Sequence, residues 1–141
     1  MSQAAYSTAS LHTRPRLLLV DDDAQQLELS AYIINLKGYS VVTATGPTQA
    51  LALAKRQRPD LAIVDYEMPV MNGCILADRL RVMIPKLHII LYTGALGIPD
   101  SDIMKVSAFI SKSDGLQVLL GNVSRLLHSS DKSGQETPRD N

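Results

Sequence analysis

Leu61-Ala62-Ile63-Val64-Asp65 and its counterpart Leu17-Leu18-Leu19-Val20-Asp21-Asp22-Asp23 decide the fold. Each is a short apolar run that ends on acid. Apolar residues at every position, with no alternation, mark a strand buried on both faces, as in a parallel sheet between helical layers. Carboxylates at the ends of such strands are costly to gather. Two of them about 4 Å apart repel by roughly 4 kcal/mol at a dielectric near 20. A chain that collects several at one point needs a cation there, or uses one of them for chemistry.

The segments outward from these runs alternate in type. Asp23 offers a side-chain acceptor at a helix N-cap, and Leu27, Ala31 and Ile34 follow at helical spacing. Gly38 suits the left-handed position that ends a helix. Tyr39–Ala44 is β-branched and predicts a second strand. Pro47 suits the first turn of a second helix with the stripe Ala50, Leu51 and Ala54, and Arg58-Pro59 stops it. Beyond Asp65, Asn72 is placed to cap a third helix carrying Ile75, Leu76, Leu80 and Met83, which ends near Pro85. Leu87–Tyr92 predicts a fourth strand and Ala108–Ser111 a short fifth. Between them, Gly94–Asp102, with Gly97 and Pro99, reads as a long loop leading into at most a short helix. Leu116, Leu119, Leu120, Val123, Leu126 and Leu127 mark a periodic last helix with Gly121 inside it. The pattern is (βα)₅, an α/β fold. Strands joined by helices run parallel with right-handed crossovers, so the sheet is covered on both faces.

At 141 residues the chain fits one domain. Residues 1–15 read as a disordered leader, 16–128 as the domain, and 129–141, without an apolar residue, as a disordered polar tail. The leader has Ser, Thr and Arg14 but no acid, a faint likeness to a transit sequence, and it lacks a signal peptide's apolar core. Lys+Arg and Asp+Glu balance at 14 each, which offers no nucleic-acid or anionic-membrane surface. No apolar run approaches the roughly 18 residues of a transmembrane helix. The single cysteine, Cys74, excludes an intramolecular disulfide, reads as a small buried apolar residue, and fits a reducing cytoplasm. Met68 and Met71 read as loop packing, and His12, His88 and His128 show no zinc spacing.

Ligands of an open parallel sheet bind beyond the carboxyl ends of its strands. Sorting polar residues by that criterion selects Asp21, Asp22 and Asp23, then Asp65 and Glu67, then Thr93, then Lys112. Oxygen ligands suit a hard cation such as Mg²⁺. A lysine and a hydroxyl suit phosphoryl oxygens. The set is suited to holding a phosphoryl group on a carboxylate.

Four segments, LLLVDDD (Leu17–Asp23), DLAIVDYEMPVMNG (Asp60–Gly73), IILYTG (Ile89–Gly94) and FISK (Phe109–Lys112), occur in this order. Over Arg16–His128 the chain resembles the receiver domain of two-component response regulators, of the chemotaxis-regulator type. The resemblance implies a flavodoxin-like sheet of order 2-1-3-4-5. It implies that Asp65 is the phosphoacceptor, and that Mg²⁺ is held by Asp22 directly, by Asp21 as its helper, by Asp65 and by the backbone carbonyl of Glu67. Lys112 would pair with Asp65 and then with the phosphoryl group. Thr93 would follow the phosphate on activation and Phe109 would rotate with it as an aromatic switch. Pro69 and Gly73 would shape the loop after the acceptor. The implied donor is a sensor histidine kinase or a histidine phosphotransfer protein. Output would pass to a protein partner, with a homodimer left open and no nucleic acid or membrane involved. Such a module is not an enzyme beyond slow autodephosphorylation, and its expected compartment is the cytoplasm.

Three positions depart from the family pattern. Ser113 follows Lys112 where proline is usual, often after a cis bond; a cis bond before a non-proline costs about 3–4 kcal/mol, so a trans Lys112–Ser113 peptide and a rearranged loop are expected. The segment between Thr93 and Lys112 is a few residues short, so the fourth helix should be short, shifted or irregular, which puts the usual dimer mode in doubt. Glu67 places a carboxylate where the side chain can affect hydrolysis.

The chain ends thirteen polar residues after the expected end of the last helix at His128, which leads to the expectation of a stand-alone module. An excised receiver of a larger regulator is the variant of that reading. A non-phosphorylated scaffold is a second function class, opposed by the presence of Asp22, Asp65, Thr93 and Lys112. A haloacid-dehalogenase-type phosphohydrolase is a third, but Gln25 stands where its D-x-D-x-T/V pattern needs Thr or Val.

Overall fold

β1 (Arg16–Val20) runs parallel between β2 (Ser40–Ala44) and β3 (Leu61–Val64). β4 (His88–Thr93) and β5 (Ala108–Ser111) extend the sheet in the order 2-1-3-4-5 in the computed structural model, which describes residues 14–136. Register does the work of gathering. Val20 pairs with Val64 and Val64 with Leu91, so Asp21 and Asp65 leave the sheet side by side. Main-chain bonds carry the ladder past the strand ends: Asp21 N–H donates to the Ala44 carbonyl at 3.1 Å and Asp65 N–H to the Val20 carbonyl at 3.0 Å.

The helices are α1 (Ala24–Leu36), α2 (Pro47–Gln57), α3 (Gly73–Met83), α4 (Asp100–Ile103) and α5 (Leu116–Glu136). Successive residues of a strand face opposite sides of the sheet. Leu17, Leu19, Ile63 and Ile90 therefore meet Leu27 and Ile34 of α1 and Leu119 and Val123 of α5. Leu18, Val20, Ala62 and Val64 meet Ala50 and Ala54 of α2 and Leu76 and Leu80 of α3. Both faces are packed, which is why β1 and β3 show no alternation. Each fully buried Leu, Ile or Val contributes about 1.5–3 kcal/mol.

The expected stop and start signals occur where local chemistry requires them. Asp23 accepts from Gln26 N–H at 3.2 Å and Asn72 from Cys74 N–H and Ile75 N–H, capping α1 and α3. Gly38 has φ +104, the left-handed region expected after α1. Pro47 opens α2, and Arg58 (φ 48) ends it.

Several boundaries are corrected. β2 begins at Ser40, and β4 begins at His88 and includes Thr93. Ile75, expected on the core stripe of α3, is 43% exposed because it lies on the helix face shared with the exposed Asp78, Arg79 and Val82, while Cys74, Leu76, Ala77 and Leu80 face the core. α5 continues to Glu136, past the His128 boundary, so the expected tail begins as helix. Arg14 and Pro15, assigned to the leader, are already tied in: Ser40 N–H donates to the Pro15 carbonyl at 2.9 Å, and Arg14 donates to the Gly38 and Tyr39 carbonyls. The rest of the leader (1–13) and the end of the tail (137–141) lie outside the described residues.

The fourth helix is short, as expected from Gly97 and Pro99, and it buries no residue. Arg81 of α3 anchors the chain after it. Its guanidinium donates to the Leu87 carbonyl at 3.2 Å, to the Lys105 carbonyl, and to the Ser107 hydroxyl at 3.1 Å. Ser107 in turn accepts from Ile89 N–H at 3.0 Å. One planar fork thus ties the entries to β4 and β5 together.

Candidate functional site

Asp65 is the first residue beyond β3 and is only 8% exposed. Both its oxygens are engaged. Oδ1 accepts the Thr93 hydroxyl at 2.5 Å and the Glu67 N–H at 3.3 Å. Oδ2 accepts the Lys112 ammonium at 3.0 Å. The same ammonium reaches Asp21 Oδ2 more closely, at 2.7 Å. Sequence reasoning paired Lys112 with Asp65; the fold makes it a bridge between both acids. Burial alone would lower the Lys112 pKa, but the hydrogen bonds to Asp21 and Asp65 outweigh that, and it is raised.

Carboxylate oxygens of Asp21, Asp22 and Asp65 lie within 4.8 Å of one another. Asp21 and Asp65 are buried and Asp22 is exposed, so the cluster opens to solvent on the Asp22 side. That side continues into a groove of about 430 Å³ lined by Asp22, Tyr66, Glu67, Met68, Pro69 and Asn72. Three converging carboxylates with an open approach fit a hard divalent cation that keeps several waters. Asp23 stands apart from the cluster as the cap of α1, and its N–H donates to Asp21 Oδ1 at 2.9 Å, which orients that carboxylate.

Lys112 emerges from β5 on a turn of its own. Among the described residues there is no cis peptide, so Lys112–Ser113 is trans, as expected for a non-proline. Lys112–Asp114 form one 3-10 turn. Ser111 caps that turn: its hydroxyl accepts from Ser113 N–H at 3.3 Å and lies 2.8 Å from the Ser113 hydroxyl. Two serines thus shape the corner where the family usually has a proline.

Phe109 on β5 sits opposite Leu91 on β4 and is 39% exposed. The Glu67 side chain is exposed, while its N–H faces Asp65. Gly73 is tightly placed. Its N–H donates to the Tyr66 carbonyl at 2.8 Å, and a β-carbon there would stand 2.3 Å from the Asp65 carbonyl oxygen. Val70, at the tip of the same loop, has φ 80, a region β-branched residues avoid.

Two residues at the rim escaped the sequence reading. The Tyr66 hydroxyl donates to Asp102 Oδ2 at 2.9 Å, joining the residue after Asp65 to α4. That hydrogen bond, with burial second, raises the Tyr66 pKa. The two lie 36 positions apart, and no periodicity or motif links them.

A model of the response regulator receiver domain matches residues 17–121. The transcriptional regulatory protein GlrR of Escherichia coli is 37% identical over 90 residues, covering 64% of this chain and 20% of that protein. PrrA of Mycobacterium tuberculosis is 39% identical over 71 residues, covering 50% of this chain and 30% of that protein. The chain thus spans about a fifth to a third of these relatives. Among solved structures, a CheY-like receiver domain protein from Methanospirillum hungatei superposes with a TM-score of 0.81 at 27% identity, covering 86% of this chain and 99% of that one. The response regulator TrrA from Thermotoga maritima, solved in complex with Mg²⁺–BeF, superposes with a TM-score of 0.74 at 28% identity, covering 79% and 98%.

Proposed function

The chain belongs to the response regulator receiver domain family, and from that premise we propose that it accepts a phosphoryl group on Asp65 from a histidine kinase or phosphotransfer protein and passes the change to a protein partner. The observation that supports this reading is the setting of Asp65: a buried carboxylate with a hydroxyl on one oxygen, an ammonium on the other, and two more carboxylates beside it. A purely structural acid would be neutralised by Lys112 alone. Here Lys112 is shared, and the acids exceed the cations.

In the transfer, an oxygen of Asp65 attacks the phosphorus of an N-phosphohistidine. The P–O bond forms as the P–N bond breaks, and the imidazole leaves with the electron pair. The protein positions and neutralises, which is most of what phosphoryl transfer requires. Lys112 pairs with Asp65 before transfer and follows the phosphoryl oxygens after it. Thr93 loses part of its claim on Asp65 Oδ1 and turns its hydroxyl to the new acceptor. Phe109, on the next strand, responds as the aromatic switch. Asp21, Asp22, Asp65 and the Glu67 carbonyl would hold Mg²⁺. Bound there, it would offset the charge of the carboxylates and of the incoming phosphoryl group.

The chain itself is proposed to be a phosphoacceptor, not a turnover enzyme, and to act in the cytoplasm with a protein target. Among the described residues no helix is long and apolar enough to cross a membrane. The test is incubation with Mg²⁺ and acetyl phosphate, or a phosphorylated kinase, read by intact mass. The parent should gain one phosphoryl group and Asp65→Asn none. A parent that gains none with any donor overturns the reading in favour of a scaffold, and steady phosphate release from small phosphomonoesters overturns it in favour of a hydrolase.

A further inference from the structure

α4 is four residues long and buries none of them, so core packing does not fix its position. Polar contacts do. The contact that comes from the acid site is the Tyr66 hydroxyl on Asp102 Oδ2. The other side-chain partner of Asp102 is Lys105 at 3.9 Å, in an ion pair whose lysine is half exposed, and such pairs contribute little. The Cys74 thiol donates to the Asp102 main-chain carbonyl at 3.4 Å and not to its carboxylate.

Tyr66 is a rigid post. Its carbonyl is held by Gly73 N–H, and Gly73 packs on the Asp65 main chain with no space for a β-carbon. The loop 94–99 is therefore fastened at both ends to two consecutive residues. At its start, the Thr93 hydroxyl donates to Asp65 and accepts the Ala95 N–H at 3.2 Å. Beyond its end, Asp102 accepts from Tyr66. A phosphoryl group on Asp65 changes what Thr93 can bond, and Ala95 moves with the Thr93 oxygen. Asp102 cannot follow while the phenol holds it.

We infer that the Tyr66–Asp102 hydrogen bond is a latch that keeps α4 in its resting position and opens when Asp65 is loaded. The inference rests on the phosphoacceptor reading above. A bond present only in the resting state opposes loading, and linkage makes the effect reciprocal. Removing a hydrogen bond to a carboxylate should then tighten loading by about tenfold.

The experiment is a titration of the full chain with Mg²⁺ and beryllofluoride, followed by amide NMR, on the parent, Tyr66→Phe, Asp102→Ala and the double variant. Signals of Thr93 and Ala95 report the site, and those of Asp100–Met104 report α4. In the parent both sets should shift. In either single variant the α4 signals of the unloaded protein should already lie toward their loaded positions, and the apparent affinity should rise about tenfold. The double variant should be no tighter than either single one. Unchanged affinity with a parent-like α4 shift in Tyr66→Phe overturns the latch. Weaker affinity also overturns it, because the bond would then support the loaded state. A parent whose Thr93 and Ala95 signals do not respond, and which behaves like Asp65→Asn, overturns the phosphoacceptor reading and the latch with it.

Discussion

Gly73 lies over the Asp65 main chain so closely that a β-carbon there would stand 2.3 Å from the Asp65 carbonyl oxygen and 3.1 Å from the Tyr66 α-carbon. Both neighbours are backbone, so neither can rotate away. Gly73→Ala must shift the loop or the acceptor, at a cost of about 1–3 kcal/mol for an overpacked site. Urea unfolding should show that loss, and phosphoryl uptake should slow with it. Gly121→Ala, where nothing lies within 4 Å, serves as the control and should leave stability unchanged or slightly improved.

Lys112→Ala removes the cation shared by Asp21 and Asp65, leaving two adjacent carboxylates without it. Without Mg²⁺ the variant should lose about 1–3 kcal/mol of stability. Mg²⁺ should restore more stability to the variant than it adds to the parent, because ion and ammonium relieve the same repulsion. Denaturant midpoints with and without Mg²⁺ measure both quantities. A deficit that Mg²⁺ leaves untouched would separate the lysine from the acid cluster.

Arg81→Ala removes three hydrogen bonds, one at the entry to β4 and two at the entry to β5. It should cost about 2–4 kcal/mol at roughly 1 kcal/mol per bond. Arg79→Ala, two positions earlier and exposed, should change stability by less than about 0.5 kcal/mol. Chemical unfolding of the pair distinguishes an anchoring fork from a solvated charge.

Burial pushes the Cys74 thiol up to about 11 from 9.0, with Asp102 adding to the effect. A raised acid pKa stabilises the fold below the unfolded value, and that contribution is lost as pH rises through about 9 to 11. Cys74→Ala should therefore flatten the alkaline limb of the stability profile in that window. At neutral pH a thiol reagent should modify Cys74 only on the timescale of unfolding. Fast labelling of the native protein would contradict its burial.

Ser111→Ala removes the acceptor that caps the 3-10 turn behind Lys112. The expected loss is about 1 kcal/mol, as for other side-chain caps. Ser113→Ala keeps the capped N–H and should cost less. Comparing their unfolding midpoints tests whether the Ser111 acceptor, rather than the Ser113 hydroxyl, holds the corner.

Much of this was legible in the chain. The unbroken apolar runs before Asp21 and Asp65 announce strands covered on both faces, since any solvent-facing side would impose alternation. Asp23, Gly38, Pro47 and Asn72 act within one turn of chain, so their roles as caps and stops do not depend on distant contacts. Ile75 departs from the expected stripe because its apolar side chain sits on the helix face of Asp78 and Arg79, one residue round from Leu76 and Leu80, and residue type alone does not fix which flank meets the sheet. The end of α5 was misjudged because a polar composition argues against a core, not against a helix continuing from one already anchored.

The sequence by itself determined which strands are buried, where the turns fall and which acids stand at strand ends, because these follow from local period and backbone chemistry. Only the tertiary structure decided how those acids are shared. Lys112 bridges Asp21 and Asp65, Thr93 reaches Asp65, Arg81 holds the Lys105 carbonyl, and Tyr66 holds Asp102. These bonds join residues 24 to 91 positions apart. They depend on strand register and on the order 2-1-3-4-5, which align side chains across the sheet in a way that spacing along the chain does not record.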